Sequence, residues 1–192
     1  VFAGIFGFFY APLVITGLHH MSNAIDLQLI ADFGGTTLWP MIALSNIAQG
    51  SAVLAMILLQ KNDAKAKEVS VPACISCYLG VTEPAMFGVT LKLKYPFYAA
   101  MAGSVAGSAY LAATKTLAQA LGAAGLPGFI SMKPDHYMNF AIGIILSMGV
   151  SFALTMVFWK KFALGREDGP EKKDAGRAEG TETASDVEIS RK

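Results

Sequence analysis

Apolar residues run almost unbroken through residues 38–59, 96–117 and 137–159. Each run is long enough for a helix to cross a hydrocarbon core, which takes about 20 residues. Residues 1–18 form a fourth such run, with a kink expected at Pro12. Polar and turn-forming positions interrupt the chain elsewhere. Asp26, Asp32, Gly34 and Gly35 break up residues 19–37, so no span is expected there. Gly122, Gly125, Pro127, Gly128 and Pro134 punctuate residues 122–134, which predicts an external loop or a hairpin dipping into the protein.

Residues 69–89 fit neither class. They are apolar except at the Gly-Val-Thr-Glu-Pro sequence of residues 80–84. An ionised Glu83 in hydrocarbon costs several kcal/mol, so it must face protein, water or a ligand. Pro84 removes a helical hydrogen bond beside it, and irregular backbone at membrane depth is tolerated only against an enclosed cavity. Lysines decide the threading. Lys61, Lys65 and Lys67 follow one span, Lys92 and Lys94 follow residues 69–89, and Lys160 and Lys161 follow the last span. All three clusters lie in the cytoplasm only if residues 69–89 enter and leave on one side, as a re-entrant hairpin. The expected fold is therefore an all-α membrane protein, a polytopic helix bundle with re-entrant hairpins.

Composition agrees with that setting. The 192 residues are 54% hydrophobic and 15% charged, with mean hydropathy +0.48, against about 25% charged in soluble domains. Residues 165–192 are polar, mixed in charge and poor in large apolar side chains, which predicts a disordered cytoplasmic tail. The charges cluster unevenly, so the formal net charge of +1 is no guide to nucleic-acid binding, but the sequence holds no basic patch interleaved with aromatics and no nucleic-acid partner is expected. The chain opens on Val1 without a basic leader, so it does not read as a signal peptide and is expected to begin inside a larger protein.

Several side chains carry candidate chemistry. His19 and His20 stand at the edge of an apolar helix; adjacent side chains diverge, so at most one is expected at a site, and a pair of capping histidines is the alternative. A carboxylate at Glu83 can accept hydrogen bonds from sugar hydroxyls while an imidazole takes a proton. A structural ion pair of Glu83 with Lys115 is the competing reading. Asn46 and Gln49, three apart, share a helical face and suit either sugar contact or interhelical hydrogen bonding. Tyr78 and Phe87 are candidate stacking aromatics, and Trp39 a membrane-interface anchor. Cys74 and Cys77 match C-x-x-C but lie in an apolar run, where small buried hydrophobes are expected. The small residues around Gly103 and Gly107 suit a helix-packing face. Nothing in the pattern calls for a metal or a cofactor.

The Thr16-Gly17-Leu18-His19-His20 sequence, followed downstream by Gly80 to Gly88, resembles enzyme IIC, the membrane permease of the bacterial phosphoenolpyruvate-dependent sugar phosphotransferase system, glucose superfamily. The resemblance runs from residue 1 to about 161 and assigns residues 1–164 to the C-terminal part of the permease domain. Residues 23–28, 35–40, 42–51 and 80–88 are similar to the trehalose-specific branch; sucrose and β-glucoside permeases are the alternatives. The resemblance implies a bacterial inner-membrane protein with a cytoplasmic C-terminus and a disaccharide substrate. It implies phosphorylation by a phosphocysteine on a IIB domain, with IIA and HPr upstream, and a homodimer when complete. Glu83, Thr82 and Gly80 would bind sugar, and His19 or His20 would help deprotonate the reacting hydroxyl. No IIB-type cysteine loop or IIA-type domain accompanies these motifs, so the chain alone is expected neither to transport nor to phosphorylate. An ion-coupled secondary transporter using Glu83 is the competing class, although such a site has no need of the histidine pair.

Overall fold

The computed structural model describes residues 2–60 and 64–163. Helix α3 (Leu38–Leu59) is the axis of the fold; α7 (Tyr95–Ala113) and α4 (Ala64–Leu79) pack along it, and α1 (Phe2–Ile15) packs along α7. Its side chains are buried on every face from Leu38 to Val53, the polar Ser45, Asn46, Gln49 and Ser51 among them. Among the described residues two helices are long and apolar enough to cross a membrane. One is Leu38–Leu59, 22 residues; the other is Pro134–Lys161, 28 residues, which contains most of α8 (Tyr137–Ala163). The expected span 96–117 is not a third. Helix α7 stops at Ala113, where Thr114 Oγ1 donates to the carbonyls of Tyr110 and Leu111, and Lys115 turns to φ 50°.

Small residues on α7 serve close approach, as expected. A methyl group at Gly103 would stand 2.7 Å from Ser151 Cβ, and one at Gly107 would stand 2.9 Å from Ser147 Cβ and 2.8 Å from Leu44 Cδ1. Ser147 and Ser151 then donate to the carbonyls of Leu44 and Ala48, at 3.1 and 2.7 Å, and close an α3–α7–α8 seam.

Residues 19–37 depart from expectation, for most of them form α2 (His19–Phe33). Asp26 does not break this helix because it is fully buried and used. Its Oδ1 accepts from Thr36 Oγ1 at 2.5 Å, and that hydroxyl accepts the Leu38 N–H at the start of α3. Asp32 is exposed and accepts from Gln28 one turn away, at 2.8 Å. The helix ends at Gly34, with φ 69° and its N–H on the Ile30 carbonyl.

The expected hairpin is present and longer than residues 69–89. Its first limb is α4. The second is α5 (Glu83–Ala85), a π turn over Met86–Thr90 and α6 (Leu91–Leu93), doubling back so that Gly88 faces Val69. Gln60, Lys65 and Lys92 share one cleft, so both limbs return to the end of the molecule where α3 finishes. Residues 122–134 take the inward alternative: a 3-10 turn, Leu126–Ser131, follows a buried Ala124 that touches the hairpin tip. Cys74 and Cys77 are free and buried, Cys77 against Gly50.

This packing belongs to a unit ending at Phe158; a second unit begins at Trp159 and contains Lys160 and Lys161. Lys61 and the predicted tail, 165–192, lie outside the described residues.

Candidate functional site

The hairpin tip meets the second inward segment at a backbone crossing that only glycine allows. Gly80 has φ 106°, and a Cβ there would lie 2.8 Å from the Ala124 nitrogen; at Gly125 a Cβ would lie 2.2 Å from the Tyr78 carbonyl oxygen. Asn46, in the middle of α3, locks the crossing. Its Nδ2 donates to the carbonyls of Gly80 (3.2 Å) and Ala124 (2.7 Å). The chain leaves this crossing through Thr82, buried at the start of α5, and the next residue is Glu83.

A cavity of about 230 Å³ opens beside the crossing. The tip contributes Gly80, Val81, Thr82 and Glu83, α3 contributes Trp39, Ile42 and Asn46, and Ala124 completes that side. Opposite them stand Tyr10 and Val14 of α1 with His19, His20 and Asn23 of α2. Gly17, at φ 76°, makes the sharp turn that brings the start of α2 to the cavity. His19 Nε2 lies 3.9 Å from Glu83 Oε1, the imidazole side chain 14% exposed and the carboxylate 45%. Two buried nitrogens at the wall, His19 Nδ1 and Trp39 Nε1, have no hydrogen-bond partner.

Six of the seven sequence-predicted site residues line one cavity: His19, His20, Glu83, Thr82, Gly80 and Asn46. Gln49 does not. Its Oε1 accepts from Thr90 Oγ1 at 3.2 Å, holding the π turn against α3 away from the cavity. The two imidazoles do not diverge. Their ring centroids are 4.0 Å apart at the first turn of α2, so both face the cavity, with His20 the more exposed. Lys115 is not at the cavity, and His19 occupies the side of it that faces Glu83. Neither stacking candidate lines it: Phe87 is half exposed and Tyr78 hydrogen-bonds Ser51. Trp39 is no interface anchor, for it is buried and forms part of the wall. Sequence reasoning missed Trp39, Tyr10 and Asn23 as lining residues. For Trp39 a signal existed, since 39, 42 and 46 fall on one helical face.

A cavity holding a carboxylate, two imidazoles, amides and aromatic walls, within an apolar bundle, suits a neutral ligand rich in hydroxyl groups. Residues 1–104 match the family model "Phosphotransferase system, EIIC", and the chain belongs to that family of membrane permeases. It is 46% identical over 167 residues to the trehalose-specific EIIBC component of Escherichia coli (strain K12), covering 86% of this chain and 35% of that protein. It is 47% identical over 166 residues to the sucrose-specific EIIBC component of Pasteurella multocida (strain Pm70), covering 85% and 35%. The trehalose-specific EIIBC component of Bacillus subtilis (strain 168) is 48% identical over 155 residues, covering 80% and 33%. The chain spans about a third of the length of these relatives. No solved structure matches.

Proposed function

We propose that this chain forms the sugar-binding part of a phosphotransferase permease for a non-reducing disaccharide, trehalose first. The observation that carries the reading is the Glu83 carboxylate at the hairpin tip, facing His19 across a cavity at 3.9 Å. Glu83 accepts hydrogen bonds from sugar hydroxyls, Thr82 and the backbone at Gly80 border the same ring, and Trp39 and Tyr10 supply apolar walls. Sucrose is the second reading, because relatives named for sucrose are as similar as those named for trehalose.

His19 hydrogen-bonds the reacting hydroxyl and takes its proton as the phosphoryl group arrives from a phosphorylated IIB domain. General-base help contributes about 10²–10⁴-fold in rate. In the full-length protein, His19→Ala is expected to retain sugar binding while phosphoryl transfer falls by that factor, and His20→Ala to be milder. Near-normal transfer in both variants, with folded and inserted protein, would remove the histidines from the mechanism.

The lysine-bearing base of the hairpin faces the cytoplasm, so a single cysteine at Lys67 or Lys92 should be labelled only from that side. Labelling of the second from outside would replace the re-entrant reading with a crossing one. The proposal treats residues 1–164 as permease and 165–192 as a tail. IIA and HPr supply the phosphoryl chain upstream, and the complete protein is a dimer.

A further inference from the structure

The base of the hairpin carries a second cleft, about 310 Å³, to which neither sequence nor family match gives a role. Lys65 comes to it from the first limb and Lys92 from the second, with Gln60 at the end of α3 and buried Ser70 beside them. Val69 and Val89 are part of its apolar lining, and no Asp or Glu lines it among the described residues. Two lysines line one cleft whose described lining holds no carboxylate, so the charge they bring to it favours an anion there. The positive end of the α4 dipole adds charge of the same sign.

Depth identifies the anion. Helix α3 is apolar over the 22 residues Leu38–Leu59, about 33 Å at 1.5 Å per residue, close to a hydrocarbon core of about 30 Å. Gln60 is the first residue beyond it and lines the cleft. The cleft therefore sits at the level of lipid phosphates. Exposed Val69 at its edge, and Phe87 next to Gly88 of its lining, offer apolar surface for an acyl chain on the core side.

We propose that this cleft binds the phosphate headgroup of an anionic phospholipid, held between Lys65 and Lys92 at the base of the hairpin. The site is independent of the sugar reading, since it shares no residue with the upper cavity. It also gives the hairpin a fixed end at the membrane surface while its tip meets sugar.

The test measures preference for spin-labelled phosphatidylglycerol over phosphatidylcholine in full-length protein reconstituted in phosphatidylcholine vesicles. Each basic residue near the surface contributes about five-fold, the equivalent of about 1 kcal/mol. Lys65→Gln and Lys92→Gln should each lower the preference about five-fold, the double variant should abolish most of it, and Lys92→Arg should retain it. Lys133→Gln, away from the cleft, should leave it unchanged. Both target lysines are exposed, so the variants are expected to fold. An undiminished preference in the double variant would overturn the proposal. So would inorganic phosphate binding in lipid-free protein with the same lysine dependence and no phosphatidylglycerol preference, which would mark a site for soluble phosphate.

Discussion

Two regions of this chain bring backbones into close contact through glycine, to different ends. At the α3–α7–α8 seam, Gly103 and Gly107 sit in ordinary helix, and serines close the gap by hydrogen-bonding α3 carbonyls. The Ser147 and Ser151 hydroxyls are satisfied within the seam. At the hairpin tip, Gly80 adopts φ 106° against the backbone of Ala124, Asn46 holds both strands of the crossing, and the next side chains are Thr82 and Glu83. That contact leaves a half-exposed carboxylate at the cavity, opposite an imidazole whose buried Nδ1 has no hydrogen-bond partner. The seam uses close approach for helix packing; the tip uses it to hold a carboxylate at the wall of a cavity.

The sharpest way to break this contrast is to add side-chain volume to each region. Gly103→Val drives methyl groups into Ser151 and the Ser147 carbonyl, and overpacking of this kind costs about 3 kcal/mol. It should lower the yield and melting temperature of inserted protein, while sugar affinity of the folded fraction stays near normal. Gly80→Ala adds left-handed strain of about 1–2 kcal/mol to a contact with the Ala124 backbone that cannot yield. Its melting point should fall as well, and the sugar affinity of its folded fraction should fall with it. Equal loss of affinity in both variants would erase the distinction.

Smaller effects separate the two amides of α3. Asn46→Ala leaves the carbonyls of Gly80 and Ala124 without their donor, a cost of about 1–3 kcal/mol at the tip, and sugar binding should weaken. Gln49→Leu removes one hydrogen bond to Thr90 together with a buried Nε2 that has no partner, so its stability cost is about 1 kcal/mol or less, with affinity unchanged. Isothermal titration of both variants with trehalose checks this. Weakened binding in Gln49→Leu alone would move the site toward the π turn.

Much of this contrast is legible in the chain. The limits of α3 follow from hydropathy, the hairpin from one carboxylate beside a proline and the lysines around it, and the seam from small residues at helical spacing. What stayed hidden depends on partners distant in sequence. Asp26 reads as an interruption until Thr36 is seen to cap it and carry the hydrogen bonding into α3. Trp39 reads as an anchor because local hydropathy does not reveal that α1 and α2 close over it. His19 and His20 should diverge on a regular helix, yet at its first turn their rings fold to one side. Gln49 shares a face with Asn46, but the hairpin runs along that face, and one amide meets its tip while the other meets its π turn.

Most directly at stake is the Glu83 carboxylate, measured as the sugar affinity of Glu83→Gln in the full-length protein. A hydrogen bond to a charged group contributes about 1.5–3 kcal/mol, so the variant should bind trehalose about ten-fold to a hundred-fold more weakly, with its melting temperature little changed. Unchanged affinity in correctly inserted protein would reduce Glu83 to a structural residue and contradict the assignment of the cavity to sugar.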